Sequence, residues 1–186
     1  MTLTHILPSL RGSVPDPIGR DLWPEFTITT LSDVTVAGVS LSRLAEWCGT
    51  PCVHTAAAVV PGTGGMPSSD ELASVVVSRV LEVATAADGS LDVWIDARLP
   101  GSALVGELRV IGRTSTACHQ RARIHDAGMS APIPALEEVV SDVRVGDLVV
   151  VPCRGAAPLR EVDPARRHLV TTVEESPAWS SAMCGR

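Results

Sequence analysis

The sequence predicts a mainly β fold, a single barrel or sandwich domain carrying one or two short helices. Short β-branched or alternating runs recur along it with turn signals between them. Two of these runs are separated by Ala87-Asp-Gly-Ser90, and Asp-Gly in that setting marks a hairpin. With one Phe and no Tyr, the core has to be assembled from Val, Leu, Ile and Ala, supplemented by Trp23, Trp47, Trp94 and Trp179. At 186 residues the chain suits one such domain with tails.

Taken in order, residues 1–26 read as an irregular arm, because five prolines or glycines precede Leu22. Residues 27–36 are strand-like. Residues 40–47 form a short amphipathic helix with Ser40 as N-cap, stopping before Gly49. The segment Pro61-Gly-Thr-Gly-Gly-Met-Pro67 lacks the Lys of a Walker loop and the strand-to-helix setting of a dinucleotide-binding turn. It is therefore expected to be a flexible connector.

Residues 74–83 and 91–99 are the strands of the hairpin, and 104–112 and 147–153 are two more. Residues 121–125 and 168–173 are shorter candidates, and 135–141 suggest one or two helical turns. The domain is expected to span 27–173, leaving 174–186 as a mobile tail from which Trp179 tucks back.

The formal net charge is −6, and no basic cluster exceeds Arg166-Arg167-His168, so neither nucleic acid nor an anionic membrane is an expected partner. No apolar run approaches the ~18 residues of a membrane span. The first residues lack the basic and apolar regions of a signal peptide, so a cytoplasmic location is expected. Five cysteines, an odd number, then read as thiols and not as a disulfide framework.

A resemblance runs through this pattern. The segment from Asp33 to His54, with its Gly38-Val-Ser turn and Cys48-Gly-Thr-Pro-Cys52, resembles the opening of the fold-type III, pyridoxal-phosphate-dependent decarboxylases of the diaminopimelate and ornithine type. Residues 74–83 resemble that family's post-barrel strand, and Val93-Trp-Ile-Asp-Ala97 its Val-Asp-Ala-Gly strand. Residues 110–119 sit where the family has Val-Gly-Pro-x-Cys-Glu-Ser-x-Asp. Val145-Gly-Asp-Leu148 and Gly155-Ala-Ala157 sit where it has Gly-Asp-Leu-Leu and Gly-Ala-Tyr.

The resemblance covers about residues 30 to 160 and implies the family's C-terminal β-sheet domain without the (β/α)8 barrel of roughly two hundred residues. All fifteen cationic side chains are arginine, so no lysine exists to form an internal aldimine, and no cofactor is expected. A GC-rich genome favours arginine codons, but that bias does not remove a lysine that catalysis requires. The family's cysteine, neighbouring acid, substrate-facing aspartate and cofactor-contacting tyrosine fall here on Ser115, Thr116, His119 and Ala157. Loss of the barrel leaves a sheet face that must be repolarised, covered by the arm or buried against another chain, and homodimerisation is the expected answer.

Ser115, Thr116, Cys118 and His119 form the densest polar cluster. A histidine beside a thiol or hydroxyl supplies a general base or activates a nucleophile, which makes Ser115, Cys118 and His119 the candidate catalytic residues. The bland alternative is an exposed strand end decorated with polar groups. Asp96, Arg113, Thr116, Cys153 and Ala157 are the candidate substrate contacts, although Asp96 and Asp147 can equally cap backbone amides. Cys48, Cys52 and His54 have ligand-type side chains, but their spacing matches no structural zinc pattern and no metal is expected.

The expected function is therefore a small pyridoxal-phosphate-independent enzyme of natural-product metabolism. It would perform cyclisation, isomerisation or elimination on a small metabolite. The alternative is a non-catalytic pseudoenzyme or accessory subunit that binds a barrel-containing decarboxylase or another biosynthetic protein.

Overall fold

A computed structural model describes residues 12–127 and 136–167. Three short strands, β1 (Ile28–Thr29), β2 (Val34–Val36) and β3 (Val39–Ser40), make a small antiparallel sheet that leads into helix α1 (Leu41–Cys48). The larger sheet contains β4 (Cys52–Val59), β5 (Pro67–Thr85), β6 (Leu91–Ile95), β7 (Arg109–Ile111), β8 (His119–His125), β9 (Leu136–Val140) and β10 (Leu148–Arg154). Its order is β7-β10-β5-β6-β8-β9, with β4 also paired to β5. Every pair is antiparallel except β6–β8. The sheet curls until its end strands β7 and β9 approach one another, so the fold is mainly β and forms a nearly closed barrel.

β5 organises the molecule because both of its faces are buried. Val76 and Val80 point into the barrel with Val149 and Val151, whereas Val75 and Val77 point outward onto Trp23, Val36, Leu41 and Val150. That two-sided burial explains a continuous valine run where a half-exposed strand would alternate. A bulge between Val80 and Glu82 shifts the register and leaves Leu81 exposed, bending the strand from its β10 partner towards β6. The second core lies between this outer face and α1. Ser40 Oγ caps the helix by accepting from Arg43 N, and Gly49 (φ 74°) ends it.

The arm is pinned to the barrel. Gly19 N and Trp23 Nε1 both donate to Glu107 Oε2, at 3.2 and 2.9 Å, and Arg109 Nη2 donates to the Pro17 carbonyl at 2.8 Å. Trp23 is 1% exposed. Arm, α1 and β2 together cover the outward face of β5.

Four local expectations are corrected. Residues 27–36 are a two-strand hairpin, because Thr30 N donates to the Asp33 carbonyl and turns the chain between β1 and β2. The strand expected at 74–83 is longer: β5 already begins at Pro67 and pairs along its first half with β4, leaving 60–66 as the turn between them. In 104–112 the strand is confined to β7, since Val105–Glu107 wind into a 3₁₀ turn that brings Glu107 to Trp23. Residues 136–140 are strand β9, not helix; their partners on β8 outweigh the helical spacing of Leu136, Val139 and Val140. After β10 the chain ends its described part in two single-turn helices, α2 (Leu159–Val162) and α3 (Pro164–Arg167), with Val162 fully buried. The expected strand at 168–173 and the tail at 174–186 with Trp179 lie outside the described residues.

Candidate functional site

The gap between β7 and β9 holds a cleft with a volume of about 60 Å3. Val110 and Ile111 from β7, Val139 and Val140 from β9, and residues 14–16 of the arm line it, and Arg113, Ser115 and His119 contribute its polar side. Three of the sequence-predicted residues are thus brought together. His119 opens β8 and sets its Nε2 3.4 Å from Asp16 Oδ2, the two side chains being 16% and 23% exposed. A protonated imidazole there gains a carboxylate counter-ion, the arrangement that suits a histidine acting as a base.

Arg113 is a clamp. Its Nε and Nη2 donate to Asp147 Oδ1 and Oδ2 at 2.9 and 2.7 Å, while Nη1 and Nη2 reach Asp142 Oδ2, Oδ1 and carbonyl oxygen at 2.9, 3.2 and 2.8 Å. Donating hydrogen bonds first to Asp147 and then to Asp142 pushes the guanidinium's pKa further up. The clamp ties the loop after β7 to the loops flanking β9 and β10, and so fastens the seam.

Ser115 Oγ donates to Asp142 Oδ1 at 2.7 Å and accepts from Ala117 N at 3.2 Å. Burial works against the charge on Asp142, but hydrogen bonds from Arg113 and Ser115 outweigh it and hold the carboxyl below the ordinary range. A carboxylate with so little basicity is a poor proton acceptor for a nucleophilic serine. Ser115 is accordingly set up as a polar wall of the cleft, with its proton directed away from His119.

The remaining candidates lie elsewhere. Thr116 and Cys118 are exposed and do not line the cleft, although the Cys118 carbonyl accepts from Ser141 N at 2.8 Å. Asp96 accepts from Thr50 Oγ1 at 2.6 Å and from Arg79 N at 2.8 Å, which makes it the capping group where β6 ends. Cys153 and Ala157 are core residues, 1% and 7% exposed. Cys48 is exposed while Cys52 is buried in the outer core, and among the described residues no group of three or more His, Cys, Asp or Glu is arranged to hold a metal.

Sequence reasoning missed Asp16 and Asp142. Asp16 lies between Pro15 and Pro17, a rigid context that marks a positioned acid, but nothing local names its partner. It also missed a second histidine pair on the outside of the barrel. His125 Nε2 lies 2.8 Å from Asp92 Oδ1, and its ring stacks on Trp94 with centroids 4.3 Å apart. No helix among the described residues is long and apolar enough to cross a membrane. Comparison of the sequence with protein-family models and with curated proteins finds no match.

Proposed function

We propose that this chain is a small, pyridoxal-phosphate-independent enzyme of specialised metabolism, derived from the sheet domain of a fold-type III decarboxylase, in which His119 is the general acid–base. The observation that carries this reading is the His119–Asp16 pair inside a cleft that is also lined by Ser115, Arg113, Arg109, Asp33 and Glu138. His119 takes a proton from a bound metabolite and returns one at another position, as isomerisation, cyclisation and elimination each require. Asp16 stabilises the intervening imidazolium. Acid–base chemistry is favoured over a nucleophilic step, because Ser115 is turned to Asp142 and Cys118 is outside the cleft.

A cleft of about 60 Å3 is well below the ~300 Å3 at which pockets for whole small molecules begin. It receives only the reacting end of a metabolite, whose remainder lies across the arm. His119→Ala is expected to lower turnover about 10²–10⁴-fold, and Ser115→Ala by about tenfold. Metabolite profiling of a host carrying each variant tests this, and unchanged output with His119→Ala would remove catalysis from the proposal.

A second reading, a non-catalytic subunit that binds another biosynthetic protein, is favoured by the exposed apolar side chains Phe26, Ile28 and Trp47. Native mass spectrometry from host lysate separates the two. A homodimer retaining a metabolite supports the enzyme, and a stable hetero-complex supports the accessory subunit.

A further inference from the structure

The glycine-rich turn between β4 and β5, expected to be a plain connector, holds a carboxylate with its backbone amides. Gly62, Gly64 and Gly65 all take positive φ, at 79°, 68° and 133°, which turns nearby N–H groups towards a common point. A Cβ on any of the three would meet nothing within 4 Å, so glycine is needed for conformation and not for space. Gly62 N donates to Asp21 Oδ2 at 2.7 Å and Gly64 N to Oδ1 at 2.8 Å, so the turn grips both oxygens of one carboxylate.

The turn also closes on itself without Asp21. Val60 N donates to the Met66 carbonyl at 2.8 Å, Thr63 Oγ1 to the Val60 carbonyl at 2.6 Å, and Met66 N to Thr63 Oγ1 at 3.1 Å. Beside it lies an open cavity of about 260 Å3, lined by Gly64 and Gly65, by the apolar Ile28 and Val59, and by Arg20 and Phe26. Phe26 is the chain's one phenylalanine, yet it is 65% exposed and sits at φ 48°, a backbone conformation unfavourable to any residue with a Cβ. Exposure and strain at one aromatic beside a cavity point to a ligand contact.

We infer that this turn and cavity bind a small carboxylate bearing an apolar chain or ring, and that Asp21 occupies the anion subsite in cis as a competing stand-in. The ligand's carboxylate takes the Gly62 and Gly64 amides with Arg20 as counter-charge, and its apolar part lies against Phe26, Ile28 and Val59. The cavity shares no lining residue with the cleft at His119, so the inference stands apart from the proposed catalysis.

The test is NMR titration of the full chain and of Asp21→Asn with sodium hexanoate, with 1-hexanol as the uncharged control. In Asp21→Asn, hexanoate is expected to shift the Gly62 and Gly64 amides and the Phe26 ring saturably. Wild type should need about tenfold more, because a tethered carboxylate competes at high effective concentration. Displacement in wild type is read directly from the Asp21 side-chain carboxyl carbon, which keeps the test valid if the variant folds poorly. Arg20→Ala should weaken binding. Glycine amides that stay still throughout the hexanoate titration, or that respond equally to hexanol, overturn the inference.

Discussion

Cys52 and Cys153 have the side chain of a nucleophile and the surroundings of a valine. Burial, reinforced by Cys48 and Asp96, pushes the Cys52 thiol up to about 11, and burial followed by Glu161 pushes Cys153 up to about 12. Iodoacetamide at pH 8 is therefore expected to alkylate exposed Cys48 and Cys118 in the native protein and to spare Cys52 and Cys153, as peptide mapping will report. Labelling of all four at equal rates would mean that the barrel opens readily. Both folded pKa values lie above the ordinary thiol value of 9.0. Their contribution to stability is thus complete below that pH and is lost as pH rises through 11 and 12. At this scale the sequence was legible in residue type and poor in partnership. Of the polar cluster Ser115, Thr116, Cys118 and His119, Ser115 and His119 line one cleft together with Arg113, whereas Thr116 and Cys118 do not. The acids that define their chemistry, Asp16 and Asp142, come from distant segments, and nothing near His119 in the chain says which carboxylate will face it.

Elements whose signal is local were read best. The β5–β6 hairpin closes through Ala86 N to Ser90 O at 2.8 Å, with Gly89 at φ 80°, as Asp-Gly between two alternating runs requires. Helix α1 begins on Ser40, whose hydroxyl also donates to Asp33 Oδ2 at 2.5 Å. Ser40→Ala is expected to cost about 1 kcal/mol, measurable as a lower denaturant midpoint with unchanged slope. Elements made by pairing were misread. Ala56, Ala57 and Ala58 have little β propensity of their own and are strand because β5 lies beside them. In β9, Leu136, Val139 and Val140 share helical spacing, and only the ladder to β8 decides against it. The arm is the extreme case, since its buried anchor is a tryptophan among prolines. Trp23→Ala should cost roughly 3–5 kcal/mol, because it empties the outer core and removes the donor to Glu107. Trp23→Phe should cost less, keeping the packing while losing the hydrogen bond.

The barrel as a whole closes by charge where it lacks a backbone ladder. No strand pairing joins β7 to β9 among the described residues, and Arg113, just behind β7, spans the gap to Asp142 beyond the end of β9 while also holding Asp147 at the start of β10. Asp147 is 8% exposed, so Arg113→Ala would leave a nearly buried carboxylate to the Arg144 backbone amide and the exposed Arg144 side chain. A loss of about 3 kcal/mol is expected, the range found when one partner of a buried pair is removed. The seam should also loosen in acid. Asp142 is held below the ordinary aspartate value of 3.8, so its contribution is present above that pH and disappears as pH falls through the lower folded value. Native-state hydrogen exchange checks both effects at once. The amides of Val75, Val76, Val77, Val149, Val150 and Val151, in strands flanked on both sides, should exchange last in wild type and in Arg113→Ala alike. Those of β7 and β9 should lose protection first, and in Arg113→Ala they should lose it without the acid. Equal loss across β5 and the seam strands would show instead that the barrel opens as one unit, and that the clamp stabilises the whole fold rather than its closure.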